Sequence, residues 1–197
     1  MDNLHLFELI NASPGMKPIQ LWLVIVLAQW LIYLVPSGLV LAWIRADPLA
    51  RRELLEMLLA TAVALVVSQV IRYTWPQPRP FVLQLGTQYI AHGADPGLPS
   101  DHVTVLWSLA LAALMTRRFA VSGFPLLAVG LAVGWSRVFL GVNFPFDILA
   151  ALPVAAAGAL AARALRAASL PAMAQLLRLY DRLANTARSW WTAARKT

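Results

Sequence analysis

Five long apolar segments constrain the fold of this chain more than any other feature. They cover residues 20–44, 53–71, 103–116, 121–140 and 148–165. Each is long enough, or nearly so, for the roughly 20 residues that cross a bilayer as a helix. Only 13% of the residues are charged and 60% are hydrophobic, whereas about 25% are charged in soluble domains. We therefore predict an all-α integral membrane protein, a bundle of about five to six transmembrane helices that forms a single domain over residues 1–197.

The two ends of the chain are predicted to lie along the membrane surface. Residues 1–16 lack the positive start and long apolar core of a signal peptide, and they are predicted to form a short interfacial helix. Residues 171–197 carry leucines and arginines at helical spacing. This pattern predicts an amphipathic C-terminal helix that forms a cytoplasmic tail.

The basic residues indicate how the chain is oriented in the membrane. Most of them fall in the loops after the first and third apolar segments and at or beyond the end of the last segment: Arg45, Arg51, Arg52, Arg117, Arg118, Arg163, Arg166, Arg178, Arg182, Arg188, Arg195 and Lys196. Threading the chain through the membrane puts all of these on one face, which the positive-inside rule makes the cytoplasm. The net charge of +7 therefore reflects topology, and no nucleic-acid partner is predicted. The absence of cysteine excludes thiol catalysis and disulfides.

Three polar clusters are predicted to meet at the opposite face. IRYTWPQPRP ends the second segment, LPSDH opens the third, and SRVFLGVNFPFD joins the fourth to the fifth. Their polar residues are Arg72, Arg79, Ser100, Asp101, His102, Arg137, Asn143 and Asp147. Three guanidinium groups suit a phosphate or diphosphate, whose oxygens they bind in pairs. A helix that starts at Ser100 adds backbone donors for an anion, and His102 could protonate a leaving oxygen.

Several of these residues also have a purely structural interpretation. Ser100 could serve only as the cap of the third span, and Asn143, followed by Phe-Pro, could cap the fifth. Asp101 could contribute only a favourable negative charge at a helix N-terminus. Asp147 follows Asn143 by four residues, so its carboxylate should lie beneath that side chain if the two share a helical turn.

A metal site is a further alternative. His92 and Asp95, in the loop sequence HGAD, could ligate a metal together with His102. Their spacing matches no recognised set of metal ligands. We therefore predict no metal and no other cofactor.

The order and spacing of the three clusters resemble the tripartite signature of the type 2 phosphatidic acid phosphatase superfamily. That signature reads Lys, six residues, Arg-Pro; then Pro-Ser-Gly-His; then Ser-Arg, five residues, His, three residues, Asp. The corresponding positions here are Arg72 with Arg79-Pro80, residues 99–102, and Ser136-Arg137 with Asn143 and Asp147. The sequences RPFV, HGAD, LPSDH and WSRVFLGV further resemble the bacitracin-resistance branch, the bacterial undecaprenyl diphosphate phosphatases.

The resemblance implies a metal-independent phosphatase of the bacterial inner membrane whose site faces the periplasm. Its substrate would be a polyprenyl diphosphate, undecaprenyl diphosphate, held among membrane lipids. Its product, undecaprenyl phosphate, would return to cell-wall synthesis and confer bacitracin resistance. The resemblance leaves the oligomeric state open.

The resemblance also implies roles for the site residues. A third-motif histidine would attack phosphorus, Asp147 would orient it, and His102 would protonate the leaving lipid phosphate. The phosphate-binding positions match Arg72, Arg79, Ser100, Asp101 and Arg137, with Asp101 in the place of the family's glycine.

Asn143 departs from the family pattern at the nucleophile. The lone pair of an amide nitrogen is delocalised, so asparagine is neither basic nor nucleophilic, although it can still hydrogen-bond Asp147 or a phosphate oxygen. We therefore expect the parent protein to be an enzyme and the Asn143 form to bind substrate with impaired turnover. Two explanations fit this residue. One is a deliberate His-to-Asn change, which we favour because the other positions fit a working enzyme; the other is a natural non-catalytic relative.

Two other functions fit the same residues. One is a phosphotransferase that passes the phosphoryl group from undecaprenyl diphosphate to lipid A. The other is a lipid-phosphate binding or translocating protein that performs no chemistry.

Overall fold

Eight α-helices account for most of the computed structural model, which describes residues 2–194. They are α1 (Asn3–Ile10), α2 (Pro18–Ile25), α3 (Leu34–Arg45), α4 (Pro48–Thr74), α5 (Asp101–Leu114), α6 (Ala120–Phe139), α7 (Pro145–Ala164) and α8 (Arg166–Ala194). The side chain of Arg188 and the whole of Arg195 and Lys196 lie outside the described part of the chain.

Four helical stretches are long and apolar enough to cross a membrane. They are Pro18–Arg45, Pro48–Thr74, Ala120–Phe139 and Pro145–Ala164. The shorter apolar helix α5 corresponds to the third and shortest of the predicted segments. The predicted fold class, an all-α integral membrane bundle, is confirmed.

The first span is irregular in its middle. A π-helical turn, Val26–Trp30, and a 3-10 turn, Leu31–Tyr33, lie between α2 and α3. Pro36 follows these turns, and a proline ring collides with the carbonyl of the residue four positions earlier, here Ile32, which disrupts the regular helical ladder. Only 11% of the most apolar part of this span is buried, against 50% for α7. The first span therefore lies at the edge of the bundle.

Helix α5 lies at the centre of the bundle and packs against α4, α6 and α7. Most of its side chains are buried. Helices α4 and α7 also contact each other closely, because Gly158 lies against Ala60 and Ala64. A β-carbon at Gly158 would collide with the carbonyl oxygen of Ala60. Small residues at such contacts are typical of membrane helices, whose association depends on close packing.

Helix α1 docks on the end of the bundle at which α6 ends and α7 begins. Its Phe7 is completely buried and packs edge-on against Phe144, with the ring centroids 5.3 Å apart. The side-chain amide of Asn11 donates to the carbonyls of Thr87 and Phe139 at 3.0 and 3.1 Å. The interfacial helix predicted over residues 1–16 is therefore shorter, and tertiary contacts hold it.

Two helix starts differ from the predictions. Helix α8 begins at Arg166 and contains Pro171, whereas the predicted C-terminal helix begins at residue 171. Helix α7 begins at Pro145, and its N-cap is Phe144, whose amide donates to the Asp147 carboxylate at 2.8 Å. The prediction that Asn143 could be this cap is wrong.

Candidate active site

A small polar cavity lies at the end of the bundle where α4 and α6 end and α5 and α7 begin; we call this the motif end. The cavity has a volume of about 80 Å³. It is lined by Arg72, Arg79, His92, Asp95, Ser100, Asp101, His102, Arg137 and Asn143. Seven of the eight predicted site residues thus line one cavity, and the eighth, Asp147, lies in hydrogen-bond contact behind Asn143. The structure brings all eight together, and their chemical roles remain predictions.

Asn143 is completely buried between Arg137 and Asp147. Its Nδ2 donates to Asp147 Oδ2 at 3.0 Å and to the carbonyl of Gly97 at 3.2 Å. Its Oδ1 accepts from Arg137 Nε at 2.8 Å. The carboxylate of Asp147 therefore lies beneath residue 143, as the four-residue spacing predicted. The side chain at position 143 presents a carbonyl oxygen, which is not a nucleophile, to the arginine.

Ser100 occupies the N-cap position of α5 without capping it through its side chain. Its hydroxyl is buried and has no hydrogen-bond partner within residues 2–194. Leaving a buried hydroxyl unpaired is costly, and such a group calls for an explanation. Ser100 is thus the N-cap residue that was predicted, but its hydroxyl lies in the cavity wall beside the α5 N-terminus, where backbone amides favour an anion.

Arg72 and Asp101 form an ion pair in the wall of the cavity. Arg72 Nη2 lies 2.8 Å from Asp101 Oδ2 and donates to the Pro99 carbonyl at 2.9 Å. Asp101 Oδ1 accepts from the Ser68 hydroxyl at 3.0 Å. Asp101 therefore positions the guanidinium of Arg72, which is more than the general charge at a helix start that the structural interpretation gave it. Asp101 would therefore act on a bound phosphate only indirectly, by holding the Arg72 guanidinium.

Arg79 ties the loop that contains HGAD to the chain beside Asn143. Its Nε donates to the Asp95 carbonyl at 2.8 Å, and its Nη1 donates to the Val142 carbonyl at 3.0 Å. Its Nη2 lies 2.8 Å from Asp95 Oδ2. Most of its donors are thus engaged by the protein, so Arg79 holds the loop in place as well as lining the cavity.

His92 and Asp95 line the cavity, although the sequence suggested them only as metal ligands. No group of three or more His, Asp or Glu side chains in the described residues is arranged to hold a metal. Asp95 Oδ2 instead lies between Arg79, at 2.8 Å, and Arg72, at 3.6 Å. Partial burial raises the pKa of Asp95. The hydrogen bond from Arg79 and the positive charge of Arg79 lower the pKa by more, so the net pKa lies below the usual value. Asp95 is therefore a carboxylate at neutral pH.

A larger and mainly apolar groove of about 490 Å³ adjoins the site on the far side of Asp147. Its walls include Trp75, Leu98, Phe146 and Leu149. The motif end thus combines a polar cavity rich in arginine with a neighbouring apolar surface.

Comparison with known proteins identifies relatives over most of the chain. Residues 53–170 match the family described as the PAP2 superfamily. The chain is 39% identical over 161 residues to the putative undecaprenyl-diphosphatase YbjG of Escherichia coli K12, covering 82% of this chain and 81% of that protein. It is 28% identical over 153 residues to the undecaprenyl-diphosphatase BcrC of Bacillus subtilis 168, covering 78% of each.

A solved structure shares the fold. The chain superposes on LpxE of Aquifex aeolicus with a TM-score of 0.66 at 21% identity, covering 81% of this chain and 93% of that chain.

Proposed function

This chain belongs to the PAP2 superfamily, and on that premise we propose that its cavity binds undecaprenyl diphosphate in the manner of an undecaprenyl-diphosphatase. The observation that carries the proposal is the convergence of Arg72, Arg79 and Arg137 with the unpartnered hydroxyl of Ser100 around one cavity. Guanidinium forks and a helix N-terminus suit the oxygens of a diphosphate. The apolar groove beside Asp147 supports a lipid as the substrate.

With a histidine at position 143, the site would hydrolyse undecaprenyl diphosphate through a phosphohistidine intermediate. Nε2 of this histidine would attack the terminal phosphorus, and the bond from phosphorus to the bridging oxygen would break. His102 would give its proton to the departing undecaprenyl phosphate. Water would then break the phosphorus–nitrogen bond, returning a proton to His102 and releasing inorganic phosphate. Asp147, which already accepts from the side chain at 143, would hold the imidazole in the attacking orientation.

Asn143 removes this nucleophile and leaves its surroundings intact. The amide keeps the hydrogen bond to Asp147 at 3.0 Å and the one from Arg137 at 2.8 Å, so the arginine stays in place. No lone pair is offered to phosphorus. This form of the chain should therefore bind the diphosphate and turn it over poorly.

The chain is a multi-pass membrane protein, and we place its cavity at the periplasmic face of the inner membrane as part of one domain. The support is the distribution of basic residues, because the end of the bundle opposite the motif end carries Arg45, Arg51, Arg52, Arg117 and Arg118. The C-terminus would then be cytoplasmic. Dephosphorylation at the periplasmic face would return the carrier lipid to cell-wall synthesis, and abundant enzyme would confer bacitracin resistance.

The Asn143→His form, supplied with undecaprenyl diphosphate in the presence and absence of lipid A, tests the reaction type. A phosphatase releases inorganic phosphate whether or not lipid A is present. Phosphorylated lipid A with little free phosphate would identify the phosphotransferase instead. Tight binding with no product from either lipid would identify a lipid-phosphate binding or translocating protein.

A further inference from the structure

The HGAD loop brings a second histidine–aspartate pair into the cavity. His92 Nδ1 lies 3.6 Å from Asp95 Oδ1 and 3.1 Å from the carbonyl oxygen of Gly93. The side chains of His92 and Asp95 are 23% and 48% exposed, so both are accessible from the cavity. A histidine near a carboxylate is also the pair that the family pattern has at positions 143 and 147, where this chain keeps the aspartate and lacks the histidine.

The neighbours of His92 determine which ring nitrogen carries the proton. A carbonyl oxygen only accepts hydrogen bonds, so Nδ1 is the nitrogen that donates to Gly93. A guanidinium group only donates, so Nε2, which lies 3.1 Å from Arg137 Nη2, is the acceptor. The lone pair of Nε2 therefore faces the arginine-lined cavity. A phosphoryl-accepting histidine needs this tautomer, with Nδ1–H held by an oxygen and Nε2 free to attack.

The charge state of His92 agrees with this geometry. Partial burial lowers the pKa of His92, the hydrogen bond to Gly93 raises it, and the positive charges of Arg79 and Arg137 lower it further. The net pKa lies below the usual value near 6.5. The ring is therefore neutral at pH 7, and its Nε2 lone pair, which accepts from Arg137, becomes available when a bound phosphate takes over that guanidinium hydrogen.

Arg137 links the two candidate positions to one phosphoryl group. Its Nε donates to Asn143 Oδ1 at 2.8 Å, and its Nη2 contacts His92 Nε2 at 3.1 Å. Both side chains thus approach the same planar guanidinium. A phosphate held by the fork of Arg137 would lie next to His92 as well as next to position 143.

We propose that His92 is a second phosphoryl-accepting histidine of this site and that it gives the Asn143 chain a low residual turnover. This inference rests on the proposed binding of undecaprenyl diphosphate. Nε2 of His92 attacks the terminal phosphorus, the bond to the bridging oxygen breaks, and the leaving undecaprenyl phosphate takes a proton from His102. Water then breaks the phosphorus–nitrogen bond, its proton passes to His102, and inorganic phosphate leaves. The carbonyl oxygen of Gly93 holds the Nδ1 proton throughout.

Four forms of the full-length protein test the proposal: the chain itself, His92→Gln, Asn143→His, and the two changes combined. Each is given undecaprenyl diphosphate labelled in its terminal phosphate, and the reaction is stopped in alkali, in which phosphohistidine survives. His92→Gln should lower the residual phosphate release of the Asn143 chain at least tenfold and remove the label from the peptide that contains residue 92. The same change should cost a factor at least threefold smaller in the Asn143→His background, where position 143 accepts the phosphoryl group and His92 only contacts Arg137.

Binding of inorganic diphosphate, measured in all four forms, is the control for folding. The proposal is overturned if the Asn143 chain shows neither turnover nor label on residue 92, or if His92→Gln leaves its turnover unchanged. Equal losses in the two backgrounds would also overturn it, because His92 would then only position phosphate. Failure of the proposed function looks different: none of the four forms would bind or hydrolyse the lipid.

Discussion

Replacing Arg137 by alanine should weaken diphosphate binding by about a hundredfold to a thousandfold. Arg137 is 3% exposed at the end of α6. Its Nε holds Asn143, and its Nη2 contacts the neutral ring of His92. Arg137 lines the cavity, and the edge of its guanidinium formed by Nη1 and Nη2 is the part that a phosphate would contact.

The magnitude follows from the two hydrogen bonds that this edge can donate. A hydrogen bond to a charged group contributes about 1.5–3 kcal/mol, and two such bonds, taken near the lower limit, contribute about 3–4 kcal/mol. Each 1.4 kcal/mol is about a factor of ten in the dissociation constant, which gives the expected range. Arg137→Lys keeps the charge but loses the planar fork, so its loss should be smaller, about tenfold.

Isothermal titration calorimetry with inorganic diphosphate, in detergent and at low salt, measures the effect. Arg118→Ala is the matched control, because this arginine is half exposed and pairs with Asp47 at the opposite end of the bundle. The affinity of this variant for diphosphate should equal that of the unchanged chain. Thermal unfolding of each variant shows that the fold is intact. Unchanged affinity in folded Arg137→Ala and Arg79→Ala proteins would refute the account of the arginines as a phosphate site.

Three further predictions concern packing and charge. Phe7→Ala should release α1 from the bundle and make it susceptible to protease, because truncating a fully buried phenylalanine costs about 3–5 kcal/mol. Leu4→Ala, at a position that is 40% exposed, should leave the protease resistance of α1 unchanged. Gly158→Val should lower the unfolding temperature in detergent, because the valine β-carbon would collide with the backbone of α4. Gly38→Val should change the unfolding temperature much less, because Gly38 has open space around it. Asp101→Asn removes the carboxylate that positions the guanidinium of Arg72, so diphosphate should bind about tenfold more weakly in titration calorimetry, a loss of about 1.4 kcal/mol; unchanged or tighter binding would contradict the positioning role of Asp101.

The sequence predicted the convergence of the site because topology alone determines it. Successive spans cross the membrane in opposite directions, so the end of one span and the start of the next share a face. This rule alone places Arg72, His102 and Arg137 at one face of the membrane. The position of Asp147 behind Asn143 also followed from a local rule, the spacing of one helical turn.

The features that the sequence missed depend on contacts between distant segments. The amide of Asn143 does not cap α7 because Arg137, Asp147 and Gly97 all bind it. Asp95 enters the cavity because Arg79, sixteen residues earlier, binds both its backbone and its side chain. No pattern of hydrophobicity or helix capping records such contacts.

The central claim is that position 143 is the site of the family's phosphoryl acceptor. Phosphate release from undecaprenyl diphosphate, measured in detergent with a metal chelator for this chain and for Asn143→His, tests it most directly. The account predicts that histidine raises the rate at least a hundredfold, since it supplies the missing nucleophile to an otherwise assembled site. Equal rates in two proteins that both bind the lipid would contradict it.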